Sequence, residues 1–188
     1  MRIELWPVTE DDLGLFRRFA VEPGLIGLDW AGFRDPQASV KRYAEDAFLG
    51  TDNGRLMVHA DRETAGFVSW RSGSYDGKTS YWEIGIALLP KYRGRGIGWR
   101  AQAMLTDYLF EHTPVQRIQA STHPENMAEQ KSLEKAGFRL ERSDPGRGVP
   151  GWKVPGWVLV QQVAGRPGTR GRQRFGDGRG QRHVWGTL

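Results

Sequence analysis

Residues 82–99, WEIGIALLPKYRGRGIGW, join an apolar run to a turn that contains two arginines and three glycines. The apolar run predicts a strand, and the apolar spacing after Gly96 predicts a helix. Such a turn exposes backbone N–H groups that lack an intrahelical acceptor, and their aligned dipoles favour an anion. Glycine lets a phosphate approach the backbone, and Arg93 and Arg95 add charged donors. The stretch therefore predicts a diphosphate cradle; the competing interpretation is a tight, solvated connection.

The turn lacks the signatures of two common phosphate-binding families. A dinucleotide fingerprint would need glycine at the position of Trp99, and the Gly-Lys-Ser/Thr run of a P-loop is absent. Neither a nicotinamide dinucleotide nor ATP is therefore favoured. The four histidines have no metal-ligand spacing and there is no cysteine, so we predict no metal site and no cysteine nucleophile.

Length and composition suit one domain, or one domain with an appendage, because the chain has 188 residues of which 38% are hydrophobic. No run of about 18 apolar residues occurs, so no membrane span is expected. The N-terminus has no long apolar segment of the secretory type, and we predict a cytoplasmic protein.

Charge divides the chain into a neutral body and a basic tail. Residues 165–188 carry six arginines and one acid, whereas residues 1–164 have 21 basic and 21 acidic groups. We therefore expect a catalytic domain over 1–164 and an Arg/Gly-rich extension over 165–188 that is flexible or a weak hairpin. The basic tail suits RNA or ribosome contact, and a solvated extension is the more ordinary interpretation.

The order of predicted elements is that of a mixed α/β domain, with crossover helices after the fourth and fifth strands. Strands are predicted at 2–8, 54–60, 65–72, 80–89, 116–122, 138–142 and 156–163. Helices are predicted at 9–20, with Thr9 as N-cap, and at 36–48, 97–109 and 126–136, with loops at 22–36 and 144–156.

The chain resembles the GNAT superfamily of acyl-CoA N-acyltransferases. The family motif [QR]-x-x-G-x-[GA] is met by residues 93–98, RGRGIG, and the downstream stretch 123–141 resembles a second family segment through Asn126, Lys135, Gly137 and Phe138. The phrase SLEKAGF, with Leu133 in place of tyrosine, resembles the RimJ/RimL branch. The resemblance implies a mostly antiparallel central sheet of about seven strands flanked by about four helices.

The same resemblance implies that acetyl-CoA binds in a V-shaped opening between the fourth and fifth strands. The pyrophosphate would lie on the 93–98 turn, and the pantetheine would pair with the strand near Ala87 to Leu89. Asn126 would contact the pantetheine or serve as an ordinary helix N-cap. The expected cofactor-binding residues are Ala87, Leu88, Leu89, Arg93, Gly94, Arg95, Gly96, Ile97, Gly98 and Asn126.

Transfer of an acyl group to an amine needs a group that removes a proton and an N–H that faces the oxyanion. Glu83 is the expected base, because strand alternation places it on one face with Gly85 and Ala87. The competing interpretation is a solvated carboxylate or one paired with arginine. The N–H is expected near Leu88 or Leu89.

The family pattern is broken at the general acid. Position 133 is leucine, and the serine expected three residues after Asn126 is Glu129. Glu129 and Ser132 are therefore the candidates for a catalytic or acceptor-site role. His123 and Glu125 are candidates for the acceptor site. Trp30 and Phe33 either line that site or belong to the core, which is slightly favoured.

Three hypotheses follow. The leading one is an acetyl-CoA-dependent N-acetyltransferase whose acceptor is a primary amine of a small molecule or a protein N-terminus. A second is a catalytically weak CoA-binding module with a regulatory or interaction role, because the helix tyrosine and serine are missing. A third adds ribosome or RNA contact through the tail. A homodimer is compatible with each of them.

Overall fold

The computed structural model describes residues 1–30, 32–74, 80–141 and 158–163. The predicted loop 144–156 and the tail 165–188 lie outside the described residues. The last described strand begins at Val158, shortly after that loop. The strands are β1 (Ile3–Pro7), β2 (Asn53–Ala60), β3 (Glu63–Ser74), β4 (Ser80–Leu88), β5 (Arg117–Thr122), β6 (Arg139–Glu141) and β7 (Val158–Val163). The α-helices are α1 (Leu13–Val21), α2 (Pro23–Ile26), α3 (Ala38–Asp46), α4 (Ile97–His112) and α5 (Met127–Lys135).

These strands form one sheet in the order β1-β2-β3-β4-β5-β7-β6. Every neighbouring pair is antiparallel except β4 and β5, which run parallel because the crossover helix α4 connects them. The predicted class, a mixed and mostly antiparallel sheet flanked by helices, is confirmed.

Alternation along the strands divides the core between two faces of the sheet. Leu56, Val58 and Val68 pack with α4 residues such as Leu105, which is fully buried. Met57, one position along β2, packs in a second cluster with residues of α1. The sheet is therefore covered by α4 on one face and by α1 and α3 on the other.

The N-terminal helix begins later than the sequence predicts. Thr9 caps a 3-10 turn, Glu10–Asp12, in which the Asp12 carboxylate accepts from the Thr9 N–H at 2.9 Å and the Thr9 hydroxyl at 2.7 Å. The α-helix starts only at Leu13. The three acids crowd the first turn and favour the tighter 3-10 geometry that satisfies Thr9 locally.

The predicted loop 22–36 is partly helical. Pro23 occupies the first position of α2, and a 3-10 turn, Gly27–Asp29, follows directly. Proline at a first helical position supplies a suitable φ and has no N–H to leave unpaired. Across the described part of the chain, none of the helices combines the length and apolar character needed to cross a membrane.

Candidate active site

The parallel pair β4 and β5 separates before either strand ends. Its register runs only from Trp82↔Ile118 to Ile84↔Ala120. β4 nevertheless continues to Leu88, where it still pairs with Gly66 of β3. The last four residues of β4 therefore have a partner strand on one side only, and an opening lies between β4 and β5.

The backbone of β4 alternates between β3 and this opening. The N–H of Leu89 donates to the carbonyl of Ala65 at 2.9 Å, so the odd-numbered residues of this segment face β3. The N–H and C=O groups of Ile86 and Leu88 then point toward the opening. Of the two N–H groups expected to face an oxyanion, that of Leu89 is therefore occupied and that of Leu88 faces the opening.

The turn after β4 presents free backbone donors. Gly94 and Gly96 have φ of 69° and 74°, a conformation that residues with a side chain rarely adopt. Among the described residues, no backbone carbonyl accepts from the N–H of Gly94, Arg95 or Gly96. Gly96 is the N-cap of α4, so the N–H groups of the first helical turn add to this set.

Arg93 is held by the protein itself. Its Nε donates to the carbonyl of Leu88 at 2.9 Å, and its Nη2 donates to the carbonyl of Leu25 in α2. Its backbone N–H donates to the carbonyl of Pro90 at 3.2 Å. The guanidinium therefore ties α2 to the end of β4, and Arg95 is the arginine whose side chain remains for a phosphate.

Gly98 lies where α4, α5 and the end of β4 meet. A Cβ at this position would stand 3.0 Å from the Ser132 hydroxyl and 3.8 Å from Leu88 Cδ1. Any larger residue would close the inner end of the opening. Close approach of α4 to α5 is thus the physical reason for this glycine.

A polar network joins α4 to α5 below that point. Gln102 is fully buried; its Nε2 donates to Glu129, and its Oε1 accepts from the Ser132 hydroxyl at 2.8 Å. The two candidates for a general acid are thus brought together by a residue that the sequence did not single out. Ser132 donates its proton to Gln102, so it is not oriented toward the opening as a donor.

The side chains of Asn126 and His123 both accept hydrogen bonds from nearby backbone N–H groups. Asn126 Oδ1 accepts from the N–H of Glu129 at 3.2 Å, which is the geometry of an N-cap. His123 Nδ1 accepts from the N–H of Glu125, also at 3.2 Å. The Glu125 residue is exposed. These contacts shape the turn between β5 and α5.

Thr122 is the last residue of β5, and its side-chain hydroxyl is buried. It is 1% exposed, and within the described residues nothing hydrogen-bonds its Oγ1. A buried hydroxyl without a partner costs about 1–3 kcal/mol. The N–H groups of the turn that have no backbone acceptor among the described residues, and the positive-φ glycines, fit a ligand that carries a phosphate, as CoA does.

Glu83 is the centre of a second network, on the opposite face of β4 from α4. Its Oε2 accepts from Arg71 Nε at 3.0 Å and Nη2 at 2.7 Å, and its Oε1 accepts from the Ser121 hydroxyl at 2.5 Å. The side chain is 19% exposed, and Arg71 is 57% exposed. The pairing with an arginine, one of the two interpretations of the sequence, is present.

Trp30 and Phe33 contact each other edge to face, with ring centroids 5.5 Å apart. Phe33 is 77% exposed, so the preference for a core position was wrong for this residue. Trp30 is half-buried and lines a pocket that also contains Phe67 and Arg55.

Sequence reasoning missed Arg71, Gln102, Ser121 and Thr122. Arg71 was detectable in principle, because β3 and β4 are consecutive antiparallel strands whose register places it opposite Glu83. Gln102 follows Gly98 by one helical turn, which puts both on the same face. Neither Ser121 nor Thr122 carries a comparable local signal.

Residues 2–139 match the sequence profile of the Acetyltransferase (GNAT) domain. The chain belongs to the GNAT acetyltransferase family. A curated relative, the probable N-acetyltransferase YjcK of Bacillus subtilis (strain 168), is 38% identical over 58 residues. That match spans 31% of this chain and 32% of the relative, so the likeness covers about a third of either protein.

Solved structures of GNAT proteins share the fold. RimL, a ribosomal L7/L12 α-N-protein acetyltransferase in complex with CoA, has a TM-score of 0.67 and 16% identity over 87% of this chain and 94% of its own. AAC(6')-Ib, in complex with paromomycin and acetyl-CoA, has a TM-score of 0.70 and 18% identity over 87% and 94%. Spermidine N-acetyltransferase from Vibrio cholerae, with CoA and spermine, has a TM-score of 0.69 and 15% identity over 86% and 95%.

Proposed function

We propose that this GNAT protein transfers an acetyl group from acetyl-CoA to a primary amine, by direct attack of the amine on the thioester. The observation that carries the proposal is the opening between β4 and β5, whose end is lined by the N–H groups of Gly94, Arg95 and Gly96, for which the described residues supply no backbone acceptor. Unpaired donors at a helix N-terminus bind anionic phosphates. The acceptor amine belongs to a small molecule or to a protein N-terminus, as in the RimJ/RimL branch.

The residues of the opening divide the work of holding CoA. The turn from Gly94 to Gly98 donates to the pyrophosphate, and Arg95 adds a charged donor. The N–H and C=O groups of Ile86 pair with the amides of the pantetheine as an added strand would, whereas the Leu88 carbonyl is already held by Arg93. The Leu88 N–H faces the place where negative charge develops on the acyl oxygen.

Glu83 takes the proton from the acceptor amine. It is the only carboxylate in β4 and β5, and it lies on the face that Gly85 and Ala87 leave open. Arg71 orients its carboxylate, while the Ser121 hydroxyl offers a path between the amine and Oε1. The leaving thiolate needs little protonation, so no general acid is required. Glu129 and Ser132, both bound to Gln102, instead hold α4 and α5 together and thereby shape the opening.

The alternative hypothesis is a CoA-binding module without turnover. It draws support from the ion pair that the Glu83 carboxylate forms with Arg71, and from the leucine that stands at position 133 in place of tyrosine. Turnover of acetyl-CoA with a panel of amines separates the two hypotheses. Thiol release above the rate of buffer with any one amine supports the enzyme.

Saturating acetyl-CoA is expected to stabilise the folded protein. At a ligand concentration about 100 times the dissociation constant, binding to the native state adds about 2.7 kcal/mol. ATP and NAD are expected to give no shift, since the turn lacks their signatures. A thermal unfolding experiment with each of the three ligands is the measurement, and equal shifts with all three would contradict specific CoA binding.

Deletion of residues 165–188 is expected to leave CoA affinity unchanged. The family match ends at residue 139, and every residue of the opening precedes Gly137. If the tail contacts RNA, the deletion removes a salt-sensitive affinity for RNA at the same time. Calorimetry with CoA and a salt titration of RNA binding test the two statements. A truncated chain that fails to fold would show that the domain extends past residue 164.

A further inference from the structure

A pocket on the α1–α3 face of the sheet combines aromatic walls with unpaired polar groups. Its lining includes Phe16 and Phe19 of α1, Ser39 of α3, Arg55 of β2, Phe67 of β3, and Arg34. The aromatic rings in this lining suit a flat or apolar body. The polar members decide which class of ligand the pocket accepts.

The guanidinium of Arg55 lies among aromatic rings. It lies 5.2 Å from the centroid of Phe16, 5.1 Å from that of Phe48 and 5.3 Å from that of Phe67. Within the described ranges of the chain, no carboxylate pairs with it. Burial, together with the nearby Arg34 and Arg42, lowers the pKa of Arg55 to about 10, so the side chain is still charged at neutral pH. Cation–π contacts offset only part of the cost of burying a charge.

Ser39 supplies an independent observation. It is 8% exposed, and among the described residues its Oγ has no hydrogen-bond partner. It is the second residue of α3, and Ala38, the first, also lines the pocket. An unpartnered hydroxyl at the positive end of a helix is suited to donate to an anion.

The acid at the rim does not neutralise these groups. Asp35 accepts from the N–H of Gln37 at 2.8 Å and from Lys41 Nζ at 3.2 Å. Both contacts lower the pKa of Asp35, the backbone hydrogen bond more than the lysine, so the carboxylate is already satisfied. The balance of charge in the pocket is positive.

Two features connect the pocket to the proposed acyl-transfer site. Phe67 forms one wall and pairs across the sheet with Ala87, on the face of β4 that carries Glu83. Ile26 forms another wall, next to Leu25, whose carbonyl is held by Arg93 of the glycine-rich turn. The segment α2 therefore touches the pocket on one side and the CoA turn on the other.

We propose that this pocket holds a carboxylate of the acceptor, so that the substrate is an amine bearing a carboxylate and an apolar or aromatic body. The inference rests on the proposed function. Arg55 and Ser39 donate to the carboxylate and the phenylalanine rings contact the body, on the face of the sheet that also carries Glu83. Polycations such as the spermine and the aminoglycoside bound by two structural neighbours do not suit a pocket lined by Arg34 and Arg55.

Calorimetry with the full chain and CoA tests the inference through a matched pair of probes. Phenylalanine and phenethylamine share the ring and the amine and differ in the carboxylate. Charged hydrogen bonds make phenylalanine the tighter ligand by about 10- to 100-fold. Arg55→Met is expected to remove that difference while CoA affinity stays the same. Arg17→Met, an exposed arginine of α1, matches the charge change and is expected to retain it.

Each outcome supports or overturns the inference. Equal or tighter binding of phenethylamine or spermidine to the unmodified protein would overturn it, and so would tighter binding of phosphoethanolamine than of phenylalanine. If Arg55→Met does not fold, Ser39→Ala takes its place, with an expected loss of about 3- to 10-fold for phenylalanine alone. Failure of the protein to bind CoA would contradict the proposed function rather than this inference, because CoA affinity is measured separately from the affinity for the acceptor probes.

Discussion

Glu83→Gln is expected to lower turnover of acetyl-CoA with an amine acceptor by about 10²–10⁴-fold, the usual contribution of general-base catalysis. Glutamine keeps the size of the side chain and its contact with Ser121, and it loses the ability to accept a proton. The ion pair that disappears is exposed on the side of Arg71, so the cost in folding stability is small. CoA affinity is expected to stay within about twofold. The loss is expected to shrink at high pH, where more of the acceptor amine is neutral.

Arg71→Met is the matched control for this experiment. It breaks the same ion pair but leaves the Glu83 carboxylate in place. If Glu83 is the base, Arg71→Met changes turnover by less than about tenfold, far less than Glu83→Gln. Equal losses in the two variants would identify the pair as a structural one and remove Glu83 from the proton transfer.

Gly96→Val is expected to weaken CoA binding by about 10- to 100-fold, the equivalent of one or two charged hydrogen bonds. Gly96 has a φ of 74°, which costs a β-branched residue of the order of 1–3 kcal/mol. The turn must therefore rotate away from its present conformation, and the N–H groups that face the phosphate rotate with it. The measurement is the dissociation constant for CoA by calorimetry.

Gly137→Val controls for backbone strain alone. Gly137 has a φ of 93° and follows α5, away from the glycine-rich turn. We expect a similar drop in melting temperature from both variants and a loss of CoA affinity from Gly96→Val only. Unchanged affinity in Gly96→Val would place the pyrophosphate elsewhere.

The sequence predicted the glycine–arginine turn and most of the elements around it because their causes are local. The φ values of Gly94 and Gly96 require glycine, and Asn126 caps the helix that follows it. Alternation within β4 put Glu83 on the open face without reference to any other strand. Family resemblance rested on these same short segments, which is why it extended to the opening between β4 and β5.

Contacts between distant segments were decided by the tertiary structure. Strand β7 lies between β5 and β6, an order that no pattern within either strand specifies. Glu83 meets Ser121, 38 positions along the chain, only because α4 returns β5 parallel to β4.

The same reason applies to the buried polar groups. Gln102 joins Glu129 to Ser132 because two helices pack closely over Gly98. Arg55 resembles an ordinary strand arginine in the sequence, and its guanidinium lies among Phe16, Phe48 and Phe67 only because three separate segments pack together. Periodicity determines which face of an element a residue occupies, whereas the partner across that face depends on packing between elements far apart in the chain.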